Sequence, residues 1–153
     1  MRKMYWSIVV ASLLITSGIV KAETSEATDA RTEIKLNKTE RDFVLLEMRA
    51  FLQSVQRIID GITKDDMEQV AEAAAKSGRA AQQGMPAYLH AKLPMAFKKL
   101  GGDTHRKFDE LALSAEQLGD GDYSLSQLNV LMENCVACHQ AFSLEVDATT
   151  GAN

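Results

Sequence analysis

From Val44 to Ile62 the large apolar residues recur three and four apart: Val44, Leu45, Met48, Phe51, Leu52, Val55, Ile58, Ile59 and Ile62. That spacing puts them on one stripe of an α-helix. A helix with so wide an apolar stripe is stable only when the stripe is covered by other elements. The helix is expected over about Thr39 to Ile62, with Thr39 and Asp42 resembling a capping box and Gly61 near its far end.

The same logic gives the rest of the chain. Thr63 can cap a second helix, with Asp65 and Asp66 favourable in its first turn, running to about Gln83. Its inner face, Met67, Val70, Ala71, Ala74, Gly78 and Ala81, is mostly small and lets a neighbour approach closely. Gly84 to Gly102 holds both prolines and ends in Gly-Gly, so it reads as a connector with short helical turns. A third helix is expected from about Thr104 to Leu118, capped by Asp103, and a fourth after the Gly119-Asp120-Gly121-Asp122 turn, capped by Ser124 with Gln127. The stripe of the fourth helix is Leu125, Leu128, Leu131, Met132, Cys135, Cys138 and Phe142. Strand signals are absent. The expected fold is all-α, an antiparallel four-helix bundle, with the long connector able to cover an open end.

The N-terminus is organised differently. Arg2 and Lys3 precede an apolar run of fourteen residues, Ser7 to Val20, and Val20-Lys21-Ala22 offers a cleavage site. This is the layout of a secretory signal peptide over residues 1–22; the run is shorter than the roughly 20 residues a spanning helix needs. No cysteine follows it to carry a lipid, so no stable membrane insertion is expected after cleavage. Cleavage removes Arg2, Lys3 and Lys21 and no acid, so three positive charges are lost and the net charge falls from −4 to −7. An acidic chain of this kind disfavours nucleic acid and anionic lipid and suits a basic protein partner. Residues 23–38 are polar without a strong apolar period and read as a flexible leader, residues 39–145 as the helical domain, and 146–153 as a flexible tail.

The chain's two cysteines sit in one motif, Cys135-Val136-Ala137-Cys138-His139. On a helix all three reactive side chains share a face. Two thiols at this spacing can each add across a vinyl group of a haem, and the following imidazole can bind its iron; C-x-x-C-H is the signature of c-type haem attachment. Zinc would require a fourth ligand, with His90 and His105 the only other histidines. A redox-active thiol pair would ordinarily sit in a βαβ context, which is missing. Both uses fit less well than one covalent haem c.

A signal peptide, a four-helix pattern and one C-x-x-C-H near the end of the last helix resemble the cytochrome c′ family of class II c-type cytochromes, over about Thr39 to Leu144. The resemblance implies a monohaem protein of the periplasm. It assigns the thioethers to Cys135 and Cys138, the proximal iron ligand to His139, and a haem-edge arginine to Arg41. Phe142 matches an aromatic common three places after the histidine, whereas Ser143 stands where a basic residue is frequent. The resemblance also leaves a homodimer through the first two helices open, although the first helix's stripe looks fully used in the core.

The sixth iron position separates the functions. Relatives with an apolar distal residue keep an open site and bind nitric oxide or carbon monoxide; low-spin relatives place a methionine there and carry electrons. Pairing Arg41 with the family's arginine puts Leu45 over the iron, and a shift of one turn puts Met48 there. A thioether sulfur is a good haem ligand that raises the potential. His105 is a third distal candidate, expected near the start of its helix as a solvated or capping residue, and His90 is expected on the surface. Lys98, Lys99 and Arg106 are expected to be solvated, although each could meet haem carboxylates. The leading expectation is electron transfer to a redox partner protein. The alternative is a five-coordinate gas-binding protein. Enzymatic peroxide chemistry is disfavoured, since it normally uses a polar acid/base pair and the helix-one stripe is apolar.

Overall fold

The computed structural model describes residues 29–147; the expected signal peptide, the first part of the leader and the last part of the tail lie outside them. The described chain is mostly helical. In order it forms β1 (Thr32–Leu36), α1 (Lys38–Thr63), α2 (Met67–Ala75), a 3-10 segment (Arg79–Gly84), α3 (Ala87–Lys92), α4 (Met95–Leu118), α5 (Gly121–Ala141) and β2 (Phe142–Val146). α1 packs on α2, α2 on α4, α4 on α5, and α5 back on α1. Among the described residues no helix is long and apolar enough to cross a membrane.

The helix ends differ from the expected ones for local reasons. α1 is capped by Asn37: its side chain accepts from the Glu40 amide and its own amide donates to Glu40 Oε2, both at 2.9 Å. Thr39 and Asp42 are already inside the helix. Thr63 ends α1 and donates to the Asp60 carbonyl at 2.8 Å, and Asp66 caps α2 through the Gln69 amide. Asp65, between them, takes the left-handed conformation at φ 56°, which aspartate tolerates better than most residues.

α2 stops at Ala75, well short of Gln83. The chain then passes so close to α4 at Gly78 that an added Cβ would sit 1.8 Å from Asp109 Oδ1. Asp109 fixes the turn by accepting from Arg79 Nε at 2.6 Å. α4 begins at Met95, just after Pro94, and runs through Gly101 and Gly102. Phe97 and Leu100 extend the apolar stripe into that first section, and packing outweighs the glycines' weak helix propensity of about 1 kcal/mol each. α4 ends at Gly119, whose φ of 61° a side chain would strain. Asp120 then caps α5 through the Tyr123 amide. Ser124 is buried one turn in rather than serving as the cap.

Two strands were not expected. β1 lies in the segment read as a leader and pairs in parallel with β2, from Thr32 opposite Phe142 to Leu36 opposite Val146. Within β1, Ile34 and Leu36 alternate with Glu33 and Lys35, and both apolar residues are buried. The first described residues are therefore part of the fold.

The buried apolar residues form two clusters. The larger contains Ile58, Val70, Phe108, Leu111, Leu128 and Leu131. The smaller, around the sheet and α3, contains Ile34, Leu36, Val44, Leu89 and Leu93, with Phe97, Phe142 and Leu144 packed against it. The candidate site is lined by residues from both.

Candidate functional site

A cavity of about 400 Å³ is bounded by α1, α4, α5 and the connector between α2 and α4. That is within the size range of ligand and cofactor sites. α5 supplies Cys135, Cys138 and His139; α1 supplies Leu45, Met48, Leu52 and Val55. Five residues singled out from sequence, Cys135, Cys138, His139, Leu45 and Met48, therefore line one space. Leu93, Phe97 and Leu100 make its wall largely apolar.

Arg41 is not among the lining residues; its Nε donates to the Leu144 carbonyl of β2 at 3.3 Å. The basic residues that do line the cavity are Arg49, one turn further along α1 than Leu45, and Lys98 on α4. Arg49 is legible in hindsight from its place beside Met48. His90 is exposed, as expected, but also lines the cavity. Arg106 pairs with Asp103 and Glu110.

His105 differs most from expectation. Extending α4 back to Met95 puts it in mid-helix, where it is buried. Nδ1 lies 2.8 Å from the Ser77 carbonyl oxygen and 3.1 Å from that of Gly78. Nε2 lies 3.2 Å from Glu47 Oε1. Burial opposes its charge, but Glu47 and the two carbonyls outweigh burial and raise its pKa above the usual histidine value. Glu47 and His105 both line the cavity, so its wall carries a polar pair that the apolar stripe of α1 did not announce.

α5 is held in rotation by the residue before the motif. Asn134 is buried; its Nδ2 donates to Asp103 Oδ2 at 2.8 Å, and its Oδ1 accepts from Lys107 Nζ at 3.0 Å. Lys107 also donates to the Val130 carbonyl. The hydrogen bonds from Asn134 and Arg106 hold the Asp103 carboxyl well below the usual carboxylate range. At the C-terminal end of α5, the Arg31 guanidinium lies 3.4 Å from the carbonyl oxygens of both His139 and Phe142, complementing the negative helix terminus. Phe142 packs edge-on against Phe97, with centroids 5.5 Å apart.

The two thiols are half-buried and free. Burial raises both pKa values, and the proximity of Cys135 raises that of Cys138 further. A redox-active Cys-x-x-Cys pair has the opposite property, a thiol pushed down toward the thiolate. Among the described residues no three His, Cys, Asp or Glu side chains are grouped so as to hold a metal ion, whereas a structural zinc site takes four converging ligands. The donor set instead fits a larger, mostly apolar group, anchored by the thiols and reached by the imidazole. Comparison with family models, curated proteins and solved structures finds no match to this chain.

Proposed function

We propose that this chain is an exported, periplasmic monohaem c-type cytochrome similar to the cytochrome c′ family, in which α1, α2, α4 and α5 form the four-helix bundle and the haem carries electrons. The observation that supports it is the meeting of Cys135, Cys138 and His139 with the α1 stripe across one apolar cavity. When bound, the haem supplies an iron that cycles between two oxidation states. The chain's residues do the rest. Cys135 and Cys138 would hold the haem as thioethers, and addition of each S–H across a vinyl group would consume no oxidant. His139 offers an imidazole nitrogen from the last turn of α5, and Met48 offers a thioether from α1. Leu45, Leu52 and Val55 exclude water, which favours a small reorganisation on electron transfer.

Leu45 lines the same cavity as Met48, which favours a second reading, an open sixth position that takes nitric oxide or carbon monoxide. The acidic surface left by signal cleavage suits a basic redox partner and a small, transient interface. A homodimer is compatible with either reading.

Optical spectra of the purified protein, oxidised and reduced, with and without carbon monoxide, test this. A low-spin spectrum indifferent to carbon monoxide is expected for the electron carrier. A high-spin spectrum that shifts with carbon monoxide would transfer the function to gas binding. A colourless exported protein would remove both.

A further inference from the structure

The core uses only part of the apolar stripe of α1. Val44, Phe51 and Ile58 are buried, but Leu52 and Ile59, seven residues apart on the flank of the stripe, are exposed. α5 repeats the pattern: Leu128 and Leu131 are buried, whereas Leu125, Met132 and Val136 are exposed. All five outer side chains are between 38% and 69% exposed. The two helices lie side by side and antiparallel. At one end, a Cβ on Gly121 would lie 3.6 Å from Ile62 Cγ2. At the other, Leu45 and Met48 share the cavity with Cys138 and His139. Leu52 and Met132 both border that cavity, so the five side chains flank one groove between α1 and α5. Contiguous exposed apolar surface marks an interaction site.

The charges beside the groove indicate what covers it. Between Asp42 and Asp60, α1 carries Arg49 and Arg57 on its exposed side, while its one acid, Glu47, is turned to His105. Asp60 is held by Lys64 Nζ and Gln69 Nε2, each at 2.8 Å. Between Asp122 and His139, α5 carries one charge, the exposed Glu133. One bank of the groove is therefore basic and the other acidic, with few charges between them. Charge depletion around an apolar centre is the make-up of a protein interface.

A second copy of the chain complements this face. A two-fold axis parallel to the helices lays α1 of each copy over α5 of the other, antiparallel as within one chain. It brings Ile59 to Leu125, Leu52 to Met132 and Arg49 to Glu133, each contact made twice. The groove between α2 and α4 has the opposite character. Glu68, Glu72 and Glu116 line it, and two such faces repel.

We propose that the α1/α5 groove is the face through which two copies of this chain associate, α1 of each crossing onto α5 of the other. The inference rests on the outer side chains of these two helices and not on the haem reading. Association covers the side of the cavity bordered by Leu52 and Met132, and leaves the acidic α2/α4 side free for a basic partner protein.

Sedimentation equilibrium of the purified mature protein, from low to high micromolar concentration, should show a reversible dimer. Ile59→Glu and Leu125→Glu, neither of which lines the cavity, should each weaken it by about tenfold or more. Both side chains are already exposed, so these variants should fold, as circular dichroism would check. Glu133→Arg should weaken the dimer less, and adding Arg49→Glu should restore it.

A protein that stays monomeric at every concentration overturns the inference and gives the groove to a different partner. A dimer that persists in both glutamate variants overturns it as well, because the copies then meet elsewhere. A charge-reversed pair that dimerises no better than Glu133→Arg overturns the crossing of α1 onto α5. None of these readouts uses the haem. An absent haem stain on a denaturing gel removes the proposed function and leaves this inference standing.

Discussion

The same three long helices, α1, α4 and α5, build two regions with opposite properties. In one, Ile58, Phe108, Leu111 and Leu131 are fully buried and interlock with the small residues Ala73 and Ala74 of α2. In the other, Leu45, Met48, Cys135 and Cys138 are only half-buried and surround a cavity. On α1 the two sets belong to one continuous stripe with unchanged spacing. A run of apolar residues three and four apart therefore says that a face is covered, not what covers it. What separates the regions is the neighbour. α2, short and rich in alanine, closes on α1 and α4, whereas beside the cavity its place is taken by a connector with a tight turn at Gly78. Where α2 ends at Ala75, close helix packing gives way to space for another group.

The largest expected effect lies in the packed region. Leu111→Ala removes a fully buried side chain from the larger apolar cluster, and should cost about 2–5 kcal/mol in denaturant unfolding. The haem spectrum of the folded fraction should not change; a changed spectrum would mean that the two regions are not separable. Asn134→Ala should come next. It leaves Lys107 and Asp103 without their shared amide partner at a cost of about 1–3 kcal/mol. Because Asn134 lies at the boundary and sets the rotation of the motif helix, its loss should also lower the haem-attached fraction. Full attachment by this variant would show that Cys135 and Cys138 face the cavity without its help.

The features readable from sequence were those carried by neighbours along the chain. The α1 stripe spans many turns and needs no partner to be seen. The two cysteines and His139 are bound to one face by helical geometry alone, so their convergence followed from spacing. The missed features depend on distant partners. TEIKL alternates for only five residues, and its partner strand begins at Phe142, at the far end of the chain. Gly101-Gly102 looked like a stop because the packing of Phe97 and Leu100 that carries α4 through it is tertiary. A helix starting after Gly102 places His105 at its first turn, whereas α4 from Met95 places it in mid-helix against Glu47. The resemblance gives Arg41 to the haem edge, whereas its tie to Leu144 depends on β2, a strand with no local signal.

Met48→Ala sharpens the comparison from the cavity side. The side chain is only partly packed against the core, so stability should fall less than for Leu111→Ala, by about 1 kcal/mol. The spectrum should change from low to high spin. An unchanged low-spin spectrum would remove Met48 from the iron.

The buried pair gives the cavity wall a pH dependence that the packed region lacks. His105 has its pKa raised above its unfolded value near 6.5 because Glu47 and the carbonyls outweigh burial. The imidazolium form is thus stabilised by folding. The contribution is fully present below the unfolded value and is lost as pH rises through the folded one. Unfolding free energy should fall over that window in the parent and stay flatter in His105→Gln. On the proposed haem reading both thiols become thioethers and no longer titrate, so in that form this slope belongs to His105. An equal slope in the variant would show that another group carries it.

The smallest expected effect separates the outer from the inner side of one carboxylate. Asp103 meets Arg106 at the surface, where the guanidinium is 46% exposed, and meets Lys107 and Asn134 on the inner side. Exposed pairs three and four apart on a helix contribute only a few tenths of a kcal/mol, and salt screens them. After Arg106→Ala, Asp103 keeps its two inner partners, so the urea midpoint should barely move. The haem spectrum should be identical to the parent's. Arg106 also bridges to Glu110, whose carboxylate is solvated and needs no replacement partner. A loss as large as that of Asn134→Ala would mean that the outer guanidinium, not the buried amide, fixes Asp103, and that the motif helix is set in place from the surface.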